Sequence, residues 1–288
     1  MNGANEVYRG THRGAEAPRS ATRSSGGAVF LTLLGKECLE LLRSFKLIWV
    51  PIVFAVLGIM QPVLSYYMPI IIEKAGNMPE GTVIEIPAPM GSQVLADTLS
   101  QFGVMGILIL ALACMGIVSG ERNSGASALV LVKPVSYASY ILSKWLSIML
   151  LSWGSLLLGY GAAWYYTWLL IEYVDVVPFL LSFVLYGLWF SFVLTVTLLF
   201  STALRSAAGA AFTSLGAAIL LTVLAGLIPK YMAWSPGALT GLAYQAATSP
   251  GWLQMEPASW WAVITALIAI AALLAASVVL LKRAPARD

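Results

Sequence analysis

Six long apolar runs constrain this chain more than any other feature. They lie at about 47–72, 98–120, 141–171, 177–204, 207–228 and 259–281. A hydrocarbon core roughly 30 Å thick takes roughly 20 helical residues to cross, and each run meets that length. The runs are continuous rather than alternating, so they read as helices and not as barrel strands. Composition agrees. Of 288 residues, 59% are hydrophobic and 10% are charged, against about 25% charged in an average soluble domain. Such a chain would expose large apolar patches in water, whereas lipid solvates it. The expected fold class is an all-α integral membrane protein with six transmembrane helices over 47–281.

The basic residues orient the expected bundle. With six spans both termini share one side. That side holds Arg9, Arg13, Arg19, Arg23, Lys36, Arg43, Lys46, Arg122, Lys133, Lys144, Arg205, Lys282, Arg283 and Arg287, and the other holds only Lys74 and Lys230. Lysine and arginine concentrate on the cytoplasmic side of membrane proteins. Both termini are therefore expected to be cytoplasmic, in a multi-pass protein of a bacterial cytoplasmic membrane. Residues 1–27 are rich in Gly, Ser, Arg, Ala and Thr and read as a disordered tail, and 282–288 as a second, short tail. The one histidine, His12, reads as a solvated tail residue.

Residues 28–46 carry Leu31, Leu34, Cys38, Leu41, Leu42 and Phe45 at helical spacing on one face, and Lys36, Glu37, Glu40, Arg43 and Ser44 on the other. This pattern predicts an amphipathic helix along the inner membrane surface. Packing against a soluble partner is the alternative. The main inner loop, 121–140, opens with Glu121 and Arg122. Residues 124–132 have the length for one short helix ended by Lys133-Pro134, because proline disfavours helix in the residue before it. Ser136 or Ser139 would cap the third span. A rigid helix between two spans makes a lever; an ordinary loop with cytoplasmic charges is the plain alternative. The outer loop 229–258 stays apolar, with Tyr231, Trp234, Tyr244 and Trp252, so it should pack on the bundle or dip toward the membrane.

Several chemistries are disfavoured. One histidine and two cysteines, Cys38 and Cys114, make neither a zinc site nor a disulfide framework. Apart from their ends, the six runs carry no Asp, Glu, Lys, Arg or His. Charges inside spans usually mark ion coupling or proton relays, so a proton-driven carrier and a membrane aspartyl protease are disfavoured; sodium coupling through backbone and hydroxyl oxygens stays open. Gly35-Lys36 lacks the earlier glycine of GxxxxGK, so no nucleotide site is expected in this chain. Energy for any transport would enter from a partner at the inner face. A channel or carrier acting alone, or a scaffold that moves nothing, are the rival classes.

The arrangement resembles the ABC-2 type permeases, membrane subunits of one class of ABC exporters. The resemblance rests on Lys36-Glu37, Glu40 and Arg43 in the first helix, then Gly116, Glu121 and Gly125 after the second span. Lys133-Pro134-Val135-Ser136 and Ile141 through Lys144 follow. It covers residues 28–281. Tyr137 departs from it, since many members carry a basic residue there. The resemblance implies a homo- or heterodimer of six-span subunits, each served by a separate ATPase that holds ATP and magnesium, with no nucleic-acid partner. It implies that 28–46 is a connecting or elbow helix and 121–140 a coupling segment built on Glu121, Arg122, Gly125, Lys133, Pro134, Ser136 and Tyr137. It also implies that 229–258 forms short re-entrant helices that gate the outer exit.

Overall fold

A computed structural model describes residues 26–75, 89–125, 135–249 and 257–283. Residues 1–25 of the expected tail 1–27, residues 126–132 of the expected short helix 124–132, Lys133, Pro134, Trp252 and 284–288 lie outside the described residues, while Gly26 and Gly27 already belong to a helix and 124–125 form a turn.

The chain begins with α1 (Gly26–Arg43), which turns at Phe45 into the first span, α2 (Lys46–Ala75). Phe45 has φ 58°, a left-handed backbone that a residue with a side chain seldom adopts. Its carbonyl accepts from the amides of Ile48 and Trp49 at 3.0 and 2.9 Å, so the strained residue also starts the next helix. Pro51, Pro62 and Pro69 all sit within α2, as membrane helices tolerate when neighbours satisfy the freed backbone groups.

The second span runs Gly91–Asn123, longer at both ends than the sequence suggests, and it is not one helix. It consists of α3 (Gly91–Gln101), a π-helical turn (Phe102–Gly106), α4 (Ile107–Cys114), a non-helical step at 115–118, and α5 (Ser119–Asn123). The third span, α6 (Tyr137–Leu170), begins where Ser136 accepts from the Ser139 amide, as the capping pattern predicts. The fourth, α7, is Val176–Ala203, and the fifth, α8 (Ala207–Leu227), is capped by Ser206. Two short helices follow, α9 (Pro229–Met232) and α10 (Ala238–Thr248), before the sixth span, α11 (Pro257–Arg283). Among the described residues there is no strand. The molecule is an all-α membrane protein with six spanning helices.

The fourth span is the most enclosed and organises the rest. Helices α8, α10 and α11 pack on it, while α2 lies along α6. Trp189, Phe190 and Leu198 of α7 are fully buried. Helix α10 wedges between α7 and α3, burying Leu239, Leu242 and Ala243. Within the outer segment it is the helix 238–248 whose apolar residues pack on the bundle, while Tyr231 and Trp234 stay exposed. Spans one, five and six keep broad apolar faces exposed, the faces that lipid or another subunit covers.

The α2–α6 seam depends on two glycines. A Cβ on Gly58 would stand 1.9 Å from the Gly159 carbonyl oxygen, and one on Gly159 would stand 2.6 Å from that of Phe54. Close backbone approach through small residues is how membrane helices gain packing energy without a hydrophobic driving force between them. We expect Gly58→Ala to destabilise the purified protein by about 1–3 kcal/mol, the usual cost of overpacking. Gly35→Ala, where a Cβ meets nothing within 4 Å, should be neutral or slightly stabilising. Thermal unfolding in detergent measures both; equal midpoints for the two variants would refute the backbone contact.

Candidate functional site

The charged residues of three separate helices meet in one place. Lys144, on the second turn of α6, is fully buried. Its ammonium group donates to both Glu37 oxygens, at 3.1 and 3.0 Å, and lies 2.9 Å from Glu121 Oε2. Glu37 comes from α1 and is 4% exposed; Glu121 comes from α5 and is 7% exposed. Lys36 completes the group, within 3.0 Å of Glu37 and of Glu40 and bonded to Glu121 Oε1. The Tyr140 hydroxyl donates to Glu121 Oε2, and the Tyr140 ring centroid lies 5.0 Å from the Lys144 nitrogen. Three carboxylates and two ammoniums are thus interleaved. A lone charge here would be costly, but each has opposite charge within bonding distance.

Helix periodicity brings these groups together. Lys36 and Glu40 are one turn apart on α1, as are Tyr140 and Lys144 on α6, so each pair shares a face. Burial works against the charged form of Lys36. The carboxylates of Glu121, Glu37 and Glu40 outweigh it and hold the lysine above its ordinary value. A raised lysine stabilises the fold fully below the ordinary lysine value and loses that contribution only as pH climbs through the raised one. Lys36 therefore stays paired throughout the neutral range. The oxygens of Glu37, Glu40 and Glu121 lie within 4.8 Å of one another, a spacing that suits a metal ion. The two lysine nitrogens already stand among them, so the arrangement is an ion-pair network and offers no open donor set.

Below the network the second span is broken. At 115–118 the helix stops, and Ser201 of α7 fills the gap. Its hydroxyl accepts from the amides of Val118 and Ser119, at 3.2 and 3.1 Å, and donates to the Met115 carbonyl at 2.8 Å. These are the backbone groups that a helix end leaves without partners. Helix α5 is then tied to the end of α7. Arg122 donates to the Thr202 carbonyl at 2.7 Å, and Asn123 to that of Arg205 at 3.0 Å. Gly125, at φ +74°, turns the chain away in a conformation that suits glycine. A cavity of about 120 Å³ borders the break, lined in part by Glu40, Lys46, Cys114 and Gly116.

The structure places several of the residues singled out in the sequence as follows. Glu37, assigned to the polar face of α1, is buried with Leu41 against α6, while Leu31, Leu42 and Phe45 face outward. Leu34 and Cys38 are half-buried on α1, so the face turned to the bundle carries apolar residues together with the buried Glu37. The spans are not free of charge. Lys144 lies two turns within the third helix, and Asp97, beside Gln93, lies within the second because that helix starts at Gly91. Tyr137 packs with the cluster of Val118, Tyr140, Ile141 and Leu281, which accounts for a ring where a basic residue is usual. At the far end Tyr244 joins the bundle through its hydroxyl, bonded to Gln93. Tyr231 and Trp234 are exposed; the Trp234 indole donates to the Tyr231 carbonyl at 2.9 Å, and the Trp234 carbonyl accepts from the Thr265 hydroxyl of α11. Arg43 is exposed on the last turn of α1 and makes none of the network's ion pairs.

Lys144 and Tyr140 are the site residues that sequence reasoning missed. The signal was present: a lysine two turns into an apolar helix needs a carboxylate partner, and Glu37, Glu40 and Glu121 are among the acids expected on the same side of the membrane.

Known proteins agree with this architecture. The family described as ABC-2 family transporter protein matches residues 31–285. An uncharacterized transmembrane protein of Bacillus subtilis (strain 168), YxlG, is 41% identical over 208 residues, 72% of this chain and 81% of its own length. The match spans α1, the three-helix ion network and all six membrane helices, and the chain belongs to the ABC-2 family of transporter proteins, as a membrane component of an ABC transporter.

Proposed function

We propose that this chain is the permease subunit of an ATP-driven exporter in a bacterial cytoplasmic membrane, with both termini cytoplasmic. It works with a separate ABC-type ATPase, which binds ATP and magnesium, and with a second permease subunit, identical or related. The observation that carries the reading is the network joining Glu37, Glu121 and Lys144 across α1, α5 and α6. The ATPase docks at the basic end, on α1 and on 121–140. A force applied at α5 is shared at once by α1 and α6 through Glu121, and by α7 through Arg122 and Asn123.

Closure of the ATPases around ATP then shifts these helices as one body. The Ser201-bridged step at 115–118 is the natural place for the second span to bend, since α5 is a separate short helix there and a cavity lies beside it. Nucleotide shifts the permease only so far as ATP binding favours one of its two arrangements. Glu121, Arg122, Gly125, Ser136 and Tyr137, with Lys133 and Pro134, form the coupling segment, and Lys36, Glu37, Glu40 and Lys144 anchor it to the connecting helix. At the outer end Tyr244, with Tyr231, Trp234 and Trp252, belongs to the exit gate. The charges within the spans do not favour an ion-coupled carrier: Lys144 is saturated by two carboxylates, and Asp97 pairs with Gln93 near the far end.

Two measurements test this. Gentle solubilisation from the native membrane should bring down a stoichiometric ATPase carrying GxxxxGK[ST]; a permease that never retains one while cargo still crosses without hydrolysis contradicts the proposal. In the reconstituted complex, Glu121→Gln should reduce permease-dependent stimulation of ATP hydrolysis by 5- to 150-fold, roughly the range of ordinary coupling energies. Lys144→Met leaves the buried Glu37 and Glu121 with Lys36 as their one remaining counter-charge in the network and should cost about 3–5 kcal/mol of stability. Adding Glu37→Gln and Glu121→Gln to it should restore folding but not stimulation. Recovery of both would reduce the network to a structural role.

A further inference from the structure

At the other end of the second span lies a cavity of about 550 Å³, walled by α3, the π-helical turn, α4, α7, α8 and α10. Its lining is apolar, with Val104, Leu108, Ile219 and Val223 forming a flank exposed on the lipid-facing side. Tyr244 and Thr240 of α10 line it from the outer end. The volume is within the roughly 300–1,000 Å³ typical of small-molecule sites. It equals about eighteen waters at ~30 Å³ each, far more than this lining could satisfy with hydrogen bonds.

Nearly every polar group on the wall is already engaged. The Ser100 hydroxyl donates to the Ala96 carbonyl at 3.2 Å, Thr222 to that of Ala218 at 2.6 Å, and Thr240 to that of Gly237 at 2.9 Å. The Tyr244 oxygen accepts from Gln93. Tyr186 differs. It is 2% exposed, and its hydroxyl has no partner among the described residues. That hydroxyl lies against Gly103, where a Cβ would stand 2.9 Å from it, and both residues line the cavity, with the hydroxyl itself buried at the wall. A buried hydroxyl without a partner is rare in folded proteins and costs free energy. Here the π-helical turn Phe102–Gly106 carries that glycine, and π-turns within helices concentrate at functional sites.

We propose that this cavity binds a bilayer-soluble, largely apolar molecule with one hydrogen-bond acceptor, such as an ester or ketone oxygen, which takes the Tyr186 hydroxyl. The molecule enters sideways from the lipid past Val104 and Ile219. Its apolar body lies along α4 and α8, and its acceptor end reaches Tyr186 beside Gly103. The site needs no ATPase and stands or falls separately from the transport reading.

Purified protein in liposomes is photolabelled with palmitic acid methyl ester carrying a mid-chain diazirine, and separately with the matching diazirine hydrocarbon. The ester should label 99–108 and 215–223 well above the lipid-exposed 260–283. Tyr186→Phe should weaken ester labelling roughly three- to tenfold, the worth of one hydrogen bond, and leave hydrocarbon labelling unchanged. Thr222→Ala, whose hydroxyl is satisfied by its own backbone, should change neither, and Ile219→Trp should block both probes by filling the mouth. Competition by excess unlabelled fatty ester assigns the site to a free apolar molecule, and competition by added phospholipid assigns it to a lipid of the bilayer. Ester labelling indifferent to Tyr186→Phe, or no stronger at 215–223 than at 260–283, overturns the proposal.

Discussion

A lysine ammonium inside a membrane helix has to be neutralised where it stands. Lys144 is fully enclosed, so the fold must deliver counter-charge to it from elsewhere in the sequence. Glu37 arrives from a helix that precedes all the spans, and Glu121 from a short helix at the end of the second. That requirement turns Glu37 of α1 toward the third span, beside Leu41. It also holds α5 at the end of the third span, although the chain between them is long. Two carboxylates on one ammonium leave excess negative charge, and Lys36 balances part of it from the rim.

The second span is where the molecule departs most from a regular helix. It contains a π-turn in the half away from its basic end and a full interruption near that end. Both irregular places meet the fourth span: Ser201 occupies the interruption, and Tyr186 lies against the π-turn at Gly103. The fourth span can serve both because it is the most enclosed helix, held on several sides by α8, α10 and α11. A helix broken in water would expose its orphan carbonyls and amides to solvent; within lipid those groups need protein partners. The serine and tyrosine side chains of the fourth span are therefore part of what permits an irregular second span.

The sequence revealed the elements better than their contacts. Six apolar runs gave the spans, the Ser136 cap was foreseeable from its position before Tyr137, and within the apolar 229–258 segment the helix 238–248 packs on the bundle. Hydrophobic periodicity put Glu37 on the polar face of α1, because it takes no account of a buried partner. The interruption at 115–118 had little local signal, since Met115, Ile117 and Val118 suit a membrane helix and the cause, Ser201, is more than eighty residues away. Tyr186 looked like any aromatic residue in a span. Only the surroundings show that its hydroxyl lacks a partner.

These contacts make the second and fourth spans a pair with two different ends. At the basic end they are tied by the Ser201 hydroxyl and by Arg122 and Asn123 on the last turn of α7 and just beyond it, so they cannot separate there without breaking several buried hydrogen bonds. Toward the opposite end, Gly103 and Tyr186 meet without a bond, and a cavity opens between the two spans and the fifth. Glu121 and Gly103 are eighteen residues apart, on the order of 27 Å along a helix at 1.5 Å per residue. A displacement imposed at the bonded end therefore has its least resisted outlet at the unbonded one. Packed helices shift between discrete arrangements more readily than they deform, and the place in this pair with room for a second arrangement is the wall around Tyr186.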